Sequence, residues 1–312
     1  MKVAVCISGQ LRNYRDCYSS LFGYLSNYEC DYFINTWDEI GGTITATKNQ
    51  YNNEKVDIQE LKAVYQPKMI NVDEVSLWND MTILKNKYVG SEEQWIYYNG
   101  FLAQYYGWFK TLLMFKKYQT ENNVQYDMVV RTRPDLEIFN SEPLNLAPDI
   151  FKVNPSRFIC SEGTTVKNTG NIKGYWQVPS SPQSLQSQLA GLKSNIDDFT
   201  FSQDFIKQFS LEQYIEFADL EKLRNTIHNI DMSKINYDGV SDMINITTPE
   251  NYEKYVSLVF LMFLIHYSDL LVGGGCAGKG KQPISIICGI LGLQRHVQPN
   301  LSHYIRSNIG DL

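Results

Sequence analysis

At 312 residues and 43% hydrophobic content, the chain is long enough for one large domain carrying an insertion, or for two small ones. Its net charge of −6 lacks the Lys and Arg surplus with which a protein that wraps phosphate backbones releases counterions, so nucleic acid is a disfavoured partner. Six scattered cysteines without a CxxC pair, and four histidines without HxH or HExxH spacing, argue against a zinc framework, a disulfide scaffold and zinc-hydrolase chemistry.

Lys2-Val-Ala-Val-Cys-Ile7 is a continuous apolar run without alternation, as in a strand covered on both faces. No targeting segment is expected ahead of it, and the setting expected for these thiols is reducing and cytoplasmic. After Ser8-Gly9-Gln10, residues Tyr14, Cys17, Tyr18, Leu21, Tyr24 and Leu25 fall at helical spacing. Asp31-Tyr-Phe-Ile-Asn-Thr-Trp37 then reads as a second strand closing on Asp38. Strand, helix, strand opens a parallel α/β sheet.

Residues 39–95 are polar and weakly patterned, with a third strand expected over 64–72 around Pro67. Phe101, Leu102, Tyr105, Trp108, Phe109, Leu112 and Leu113 predict a helix over 99–118, and Lys116 and Lys117 suit the negative end of its dipole. Tyr126-Asp-Met-Val-Val-Arg131 is the next buried strand, stopped by Pro134 directly ahead of Asp135. Residues 141–235 lose the rhythm and read as an insertion, with one helix over 211–229. The rhythm returns at Tyr237. Thr248-Pro249-Glu250 supplies an N-cap, a first-turn proline and a first-turn acid for a helix, and a last apolar segment covers 284–293. The longest apolar stretch, 256–265, is about half the roughly 20 residues a bilayer span requires, so a buried helix and no membrane span are expected.

In open α/β sheets, ligands bind beyond the carboxyl ends of the strands. Three such ends carry polar groups: Ser8-Gly-Gln-Leu-Arg12, Asn35-Thr-Trp-Asp38 and Arg131-Thr-Arg-Pro-Asp135. Gly9 lets the backbone come close to a base or ribose. If the third segment stays extended, Arg131, Arg133 and Asp135 project to one side. Asp135 then offers an oxygen ligand to Mn²⁺ or Mg²⁺ while Arg131 or Arg133 pairs with phosphate. An Arg–Asp ion pair closing the strand explains the same residues, and both readings stand. Gly273-Gly-Gly-Cys-Ala-Gly278-Lys279-Gly280 follows the P-loop spacing until Gly280 replaces the Ser or Thr that holds Mg²⁺. It reads as a solvated turn, or as a loop whose Lys279 and Lys281 reach phosphate.

Taken together, VAVCISGQLRNY, DYFINTWD, NGFLAQYYGWFKTL and YDMVVRTRPDL resemble GT-A type glycosyltransferase-like proteins of bacterial polysaccharide loci, large viruses and phages. Tyr237-Asp-Gly-Val-Ser-Asp242-Met-Ile-Asn245-Ile resembles the segment where such enzymes carry Ser/Asn-Asp-x-Phe-Ala-x-Gly, and Tyr304-Ile-Arg306 resembles their terminal strand. The resemblance implies an α/β fold, a GT-A Rossmann-like mixed sheet flanked by helices with an inserted, mostly helical or irregular subdomain. Its parts are a donor-binding half (1–140), the insertion (141–235) and an acceptor-side half (236–312). It implies transfer of a sugar from a nucleoside-diphosphate donor such as a UDP-sugar to a glycan or small hydroxyl acceptor. Ser8, Gly9, Gln10, Arg12, Asp38, Arg131 and Arg133 are the expected donor-binding residues, Asp135 the ligand of Mn²⁺ or Mg²⁺, and Asp242 the catalytic carboxylate at the acceptor. The usual Asp-x-Asp is here Arg133-Pro-Asp135, with one acid, which opens metal dependence to question. Two alternatives remain: a non-catalytic nucleotide- or sugar-binding protein on this fold, and a phage-type transferase acting on modified DNA bases, with Lys279, Lys281, Arg295 and Arg306 as a basic rim.

Overall fold

A computed structural model describes residues 1–41, 43–44, 49–50, 52–76, 92–139, 142–160, 190, 193–231, 244–265, 288, 291–297 and 302–305. The chain begins with β1 (Lys2–Ser8), α1 (Tyr14–Tyr24) and β2 (Glu29–Trp37), as the apolar runs predict. A short hairpin, β3 (Thr43–Ile44) and β4 (Asn49–Gln50), precedes α2 (Ile58–Tyr65) and β5 (Met69–Asp73). The helix α3 (Glu92–Asn122) leads into β6 (Met128–Thr132) and β7 (Leu136–Phe139). Then come α4 (Ile150–Val153), β8 (Arg157–Cys160), α5 (Gln203–Gln208), a 3₁₀ turn (Ile215–Phe217) and α6 (Leu220–His228). β9 (Asn245–Thr247), α7 (Pro249–Ile265), β10 (Gln294–Val297) and β11 (Ser302–Ile305) complete the described elements.

The central sheet is seven-stranded and mixed, in the order β10-β8-β9-β6-β1-β2-β5. β5, β2, β1 and β6 run parallel, β9 is antiparallel to both neighbours, and β8 pairs in parallel with β10. Because β1 alternates, Val3, Val5 and Ile7 join one apolar cluster with α1 and α2, while Ala4 and Cys6 join another with α3 and α7. Both faces of β1 are covered, so its sequence reads as an unbroken apolar run rather than an alternating one. Helices thus flank the sheet on both sides, and none of the described helices is long and apolar enough to cross a membrane.

Two expectations are revised. The segment expected as one strand over 64–72 is split: Tyr65 ends α2, and the strand begins at Met69. Asp57 caps the helix by accepting from the amides of Gln59 and Glu60, and Gln66 closes it at φ +45 before Pro67. Residues 141–235 also contribute to the sheet, because β8 lies between β9 and β10. Its four residues are flanked by loop-rich sequence, which hid it from a reading based on periodicity.

Candidate active site

The chain adds strands from β1 outward to β2 and β5, then crosses back to place β6 on the other side of β1. The gap between the carboxyl ends of β1 and β6 is therefore a topological switch point, where open α/β sheets bind ligands. Ile7 is in register with Thr132, so the segments following Ser8 and Thr132 leave the sheet side by side. Gly9 takes φ +128, a conformation closed to other residues without strain, and its amide donates to the Asn35 carbonyl at 3.2 Å. Thr36 Oγ1 donates to the Gly9 carbonyl at 2.9 Å, fixing the turn against β2. Arg12 sits at φ +43, in the left-handed region that non-glycine residues seldom occupy, and its amide donates to the Ile40 carbonyl at 2.9 Å.

That turn aims Arg12 at Asp135. Arg12 Nη1 donates to Asp135 Oδ2 at 2.6 Å, and Arg12 Nη2 donates to Gln10 Oε1 at 3.3 Å. Arg133 binds the same carboxylate with both ends of its fork, Nε to Oδ1 and Nη2 to Oδ2, each at 2.8 Å. Burial opposes ionisation of Asp135, but Arg133 and Arg12 outweigh it and hold the carboxyl below its usual range. Burial pushes Arg12 down against the pull of Asp135, with Arg133 adding to the decrease; a guanidinium nevertheless stays charged.

Gln10, Arg12, Arg133 and Asp135 therefore meet, although 123 residues separate Arg12 from Asp135. Arg131 does not join them. The strand ends at Thr132, so the segment does not stay extended, and Arg131 points to the face covered by α3. There its guanidinium carbon lies 4.0 Å from the Trp108 ring centroid, and its Nε and Nη2 donate to Asn245 Oδ1 at 3.0 and 2.6 Å. Arg131 is fully buried, apart from the Arg12–Arg133–Asp135 cluster that it was expected to join. Asp38 ties segments together: it accepts from the Val75 amide at 2.9 Å and from Lys55 Nζ at 2.7 Å. Burial works against its ionisation, and Lys55 and the Val75 amide overcome that to hold it below the usual range. Asp242, Lys279, Lys281 and Arg306 lie outside the described residues, as does the side chain of Arg295.

Ser8 and Arg12 were expected at the switch point from the sequence, whereas Thr132, Trp108 and Gly107 were not singled out as site residues. Ser8 Oγ, Thr132 Oγ1, Trp108 Nε1 and Arg12 Nε are buried and have no hydrogen-bond partner among the described residues. Buried polar atoms are nearly always satisfied, so each of these atoms is a position whose bonding ordered water or a ligand would complete. Gly107 brings α3 close to β1 here: a Cβ on it would stand 3.2 Å from Ser8 Cβ. At the end of β5, Lys110 Nζ pairs with Asp73 Oδ1 at 2.5 Å and accepts a neighbour in Tyr106, whose hydroxyl oxygen receives a Lys110 hydrogen at 2.9 Å. The Trp-Phe-Lys-Thr-Leu sequence of α3 conceals that pair, because a lysine in a helix normally signals a solvated face.

Asp135 does not fit the role of metal ligand. Both its oxygens accept guanidinium hydrogens, and the described residues contain no group of three His, Cys, Asp or Glu side chains able to hold an ion. An open groove elsewhere, of about 1280 Å³, is lined by Ser156, Asn225, Asn229, Asn251 and Gly292 among others. It lies at the amino ends of β6, β8 and β10, the opposite end of the sheet from the switch point. The chain matches no protein-family model and no curated protein sequence.

Proposed function

We propose that the chain is a nucleotide-sugar glycosyltransferase with a GT-A type sheet, its donor bound at the β1–β6 switch point. The observation that carries this reading is the convergence of two distant strand-end motifs on one cationic cluster, through the 2.6 Å contact of Arg12 with Asp135. A parallel, Rossmann-like half joined through one reversed strand to a second half also supports the GT-A assignment. Sugar transfer leaves a diphosphate with growing negative charge, and hydrogen-bond donors fixed in place before the reaction stabilise it most effectively. Arg12 and Arg133 supply such donors, and Ser8 Oγ and the Gly9 turn suit the ribose or base. The acceptor is a glycan or small hydroxyl compound, in keeping with the net charge of −6.

Calorimetry with UDP and GDP tests the reading: saturable binding of either is expected, and binding of neither removes it. A second reading, a non-catalytic nucleotide-binding protein on the same fold, draws on the neutralised state of Asp135. Binding without consumption of any nucleotide sugar across a panel of acceptors selects that second reading.

A further inference from the structure

The exposures around Asp135 determine what an approaching ligand meets. The Asp135 side chain is 0% exposed, whereas Arg12 and Arg133 are 19% and 18% exposed. The carboxylate is the floor of the cluster and the guanidiniums are its open face. A cation entering here would pass two positive groups and displace one of them to reach an oxygen. An anion meets two forked donors already oriented by a common carboxylate. Two guanidiniums against one carboxylate leave one net positive charge, and Arg12 Nε is a buried donor with no partner among the described residues. Arginine keeps its charge even when partly desolvated and matches phosphate oxygens in paired hydrogen bonds.

The geometry points to donor binding without a divalent cation: Arg12 and Arg133, oriented by Asp135, take the place of the metal on the diphosphate of a nucleoside diphosphate. The inference rests on the glycosyltransferase reading for its ligand class. Asp135 is a positioning residue in it, acting through the two arginines and touching no ligand. The strained φ of +43 at Arg12 fits the same role, because it directs a long side chain back across the mouth of the β1–β6 gap.

The test is calorimetric titration of the full-length protein with UDP and with GDP, in EDTA and in Mn²⁺. Affinities within about twofold of each other in the two conditions are expected. Arg12→Ala and Arg133→Ala are expected to weaken binding at least about tenfold each, the loss of one charge-assisted contact. Asp135→Asn is expected to weaken binding by the same factor in EDTA and in Mn²⁺, which a metal ligand would not do. Binding that requires Mn²⁺ overturns the inference and leaves the glycosyltransferase reading standing. Metal-independent binding that the arginine variants retain in full also overturns it. Failure of both nucleotides to bind under any condition removes the inference together with the reading beneath it. The comparison of EDTA with Mn²⁺ uses the unaltered protein, so the test holds even if a variant fails to fold.

Discussion

Replacing Asp135 by Asn isolates the charge at the centre of the cluster while almost preserving its shape. The wild-type carboxylate accepts three hydrogen bonds, from Arg12 Nη1 at 2.6 Å and from Arg133 Nε and Nη2 at 2.8 Å. Asparagine keeps one oxygen and turns an NH₂ toward a guanidinium, so at least one charge-assisted bond, worth about 1.5–3 kcal/mol, is lost. Removing one partner of a buried ion pair costs about 3–5 kcal/mol, and the partial exposure of both arginines reduces that figure through solvent screening. A loss of about 3 kcal/mol is expected at neutral pH, or a fall in Tm of about 4–5 °C for a chain of this size. The sign with pH follows from the depressed carboxyl. Its stabilisation is complete above the unfolded value of about 3.9 and disappears as pH falls through the lower folded value. Thermal melts of both proteins between pH 7 and pH 3 should therefore show a gap that is widest near neutrality and narrows below about pH 4. A Tm difference under about 2 °C at pH 7, or a gap that stays constant down to pH 3, refutes the clamp geometry.

Lys110→Met removes a fully buried cation facing Asp73 and Tyr106 and should destabilise the fold by about 3–5 kcal/mol in urea melts; Lys55→Ala, which breaks an exposed pair, should cost less than about 1 kcal/mol. Gly107→Leu should destabilise by about 1–3 kcal/mol despite the better helix propensity of leucine, because its Cβ alone stands 3.2 Å from Ser8 Cβ. Burial pushes the Cys6 thiol up to about 12, so iodoacetamide at pH 8 should leave Cys6 unmodified in the native protein and alkylate it in urea, as read by peptide mass spectrometry.

The strands that build the switch point were legible because each is a continuous apolar run: Val3 to Ile7 and Met128 to Val130 are buried on both faces. α3 was legible in its apolar stripe, although its amino-terminal extension to Glu92 was not, since Asn99-Gly100 between Tyr98 and Phe101 reads as a break in a helical pattern. The meeting of Arg12 with Asp135 was not legible, because sheet order, not local pattern, decides which loops become neighbours. The separation of Arg131 from Arg133 and Asp135 was not legible for a related reason. The period-two rule groups residues 131, 133 and 135 only while the backbone stays extended, and here β6 ends at Thr132. From there Pro134 and Asp135 turn the chain into β7. One arginine then packs on Trp108 inside the protein while the next faces outward beside Asp135.

A crystal structure of the protein with bound UDP locates the donor directly. The diphosphate is expected within hydrogen-bond distance of Arg12 and Arg133, with Asp135 still pairing both arginines beneath it. Nucleotide seated instead in the groove beside Asn225 and Asn251, at the opposite end of the sheet, would rule out donor binding at the β1–β6 switch point.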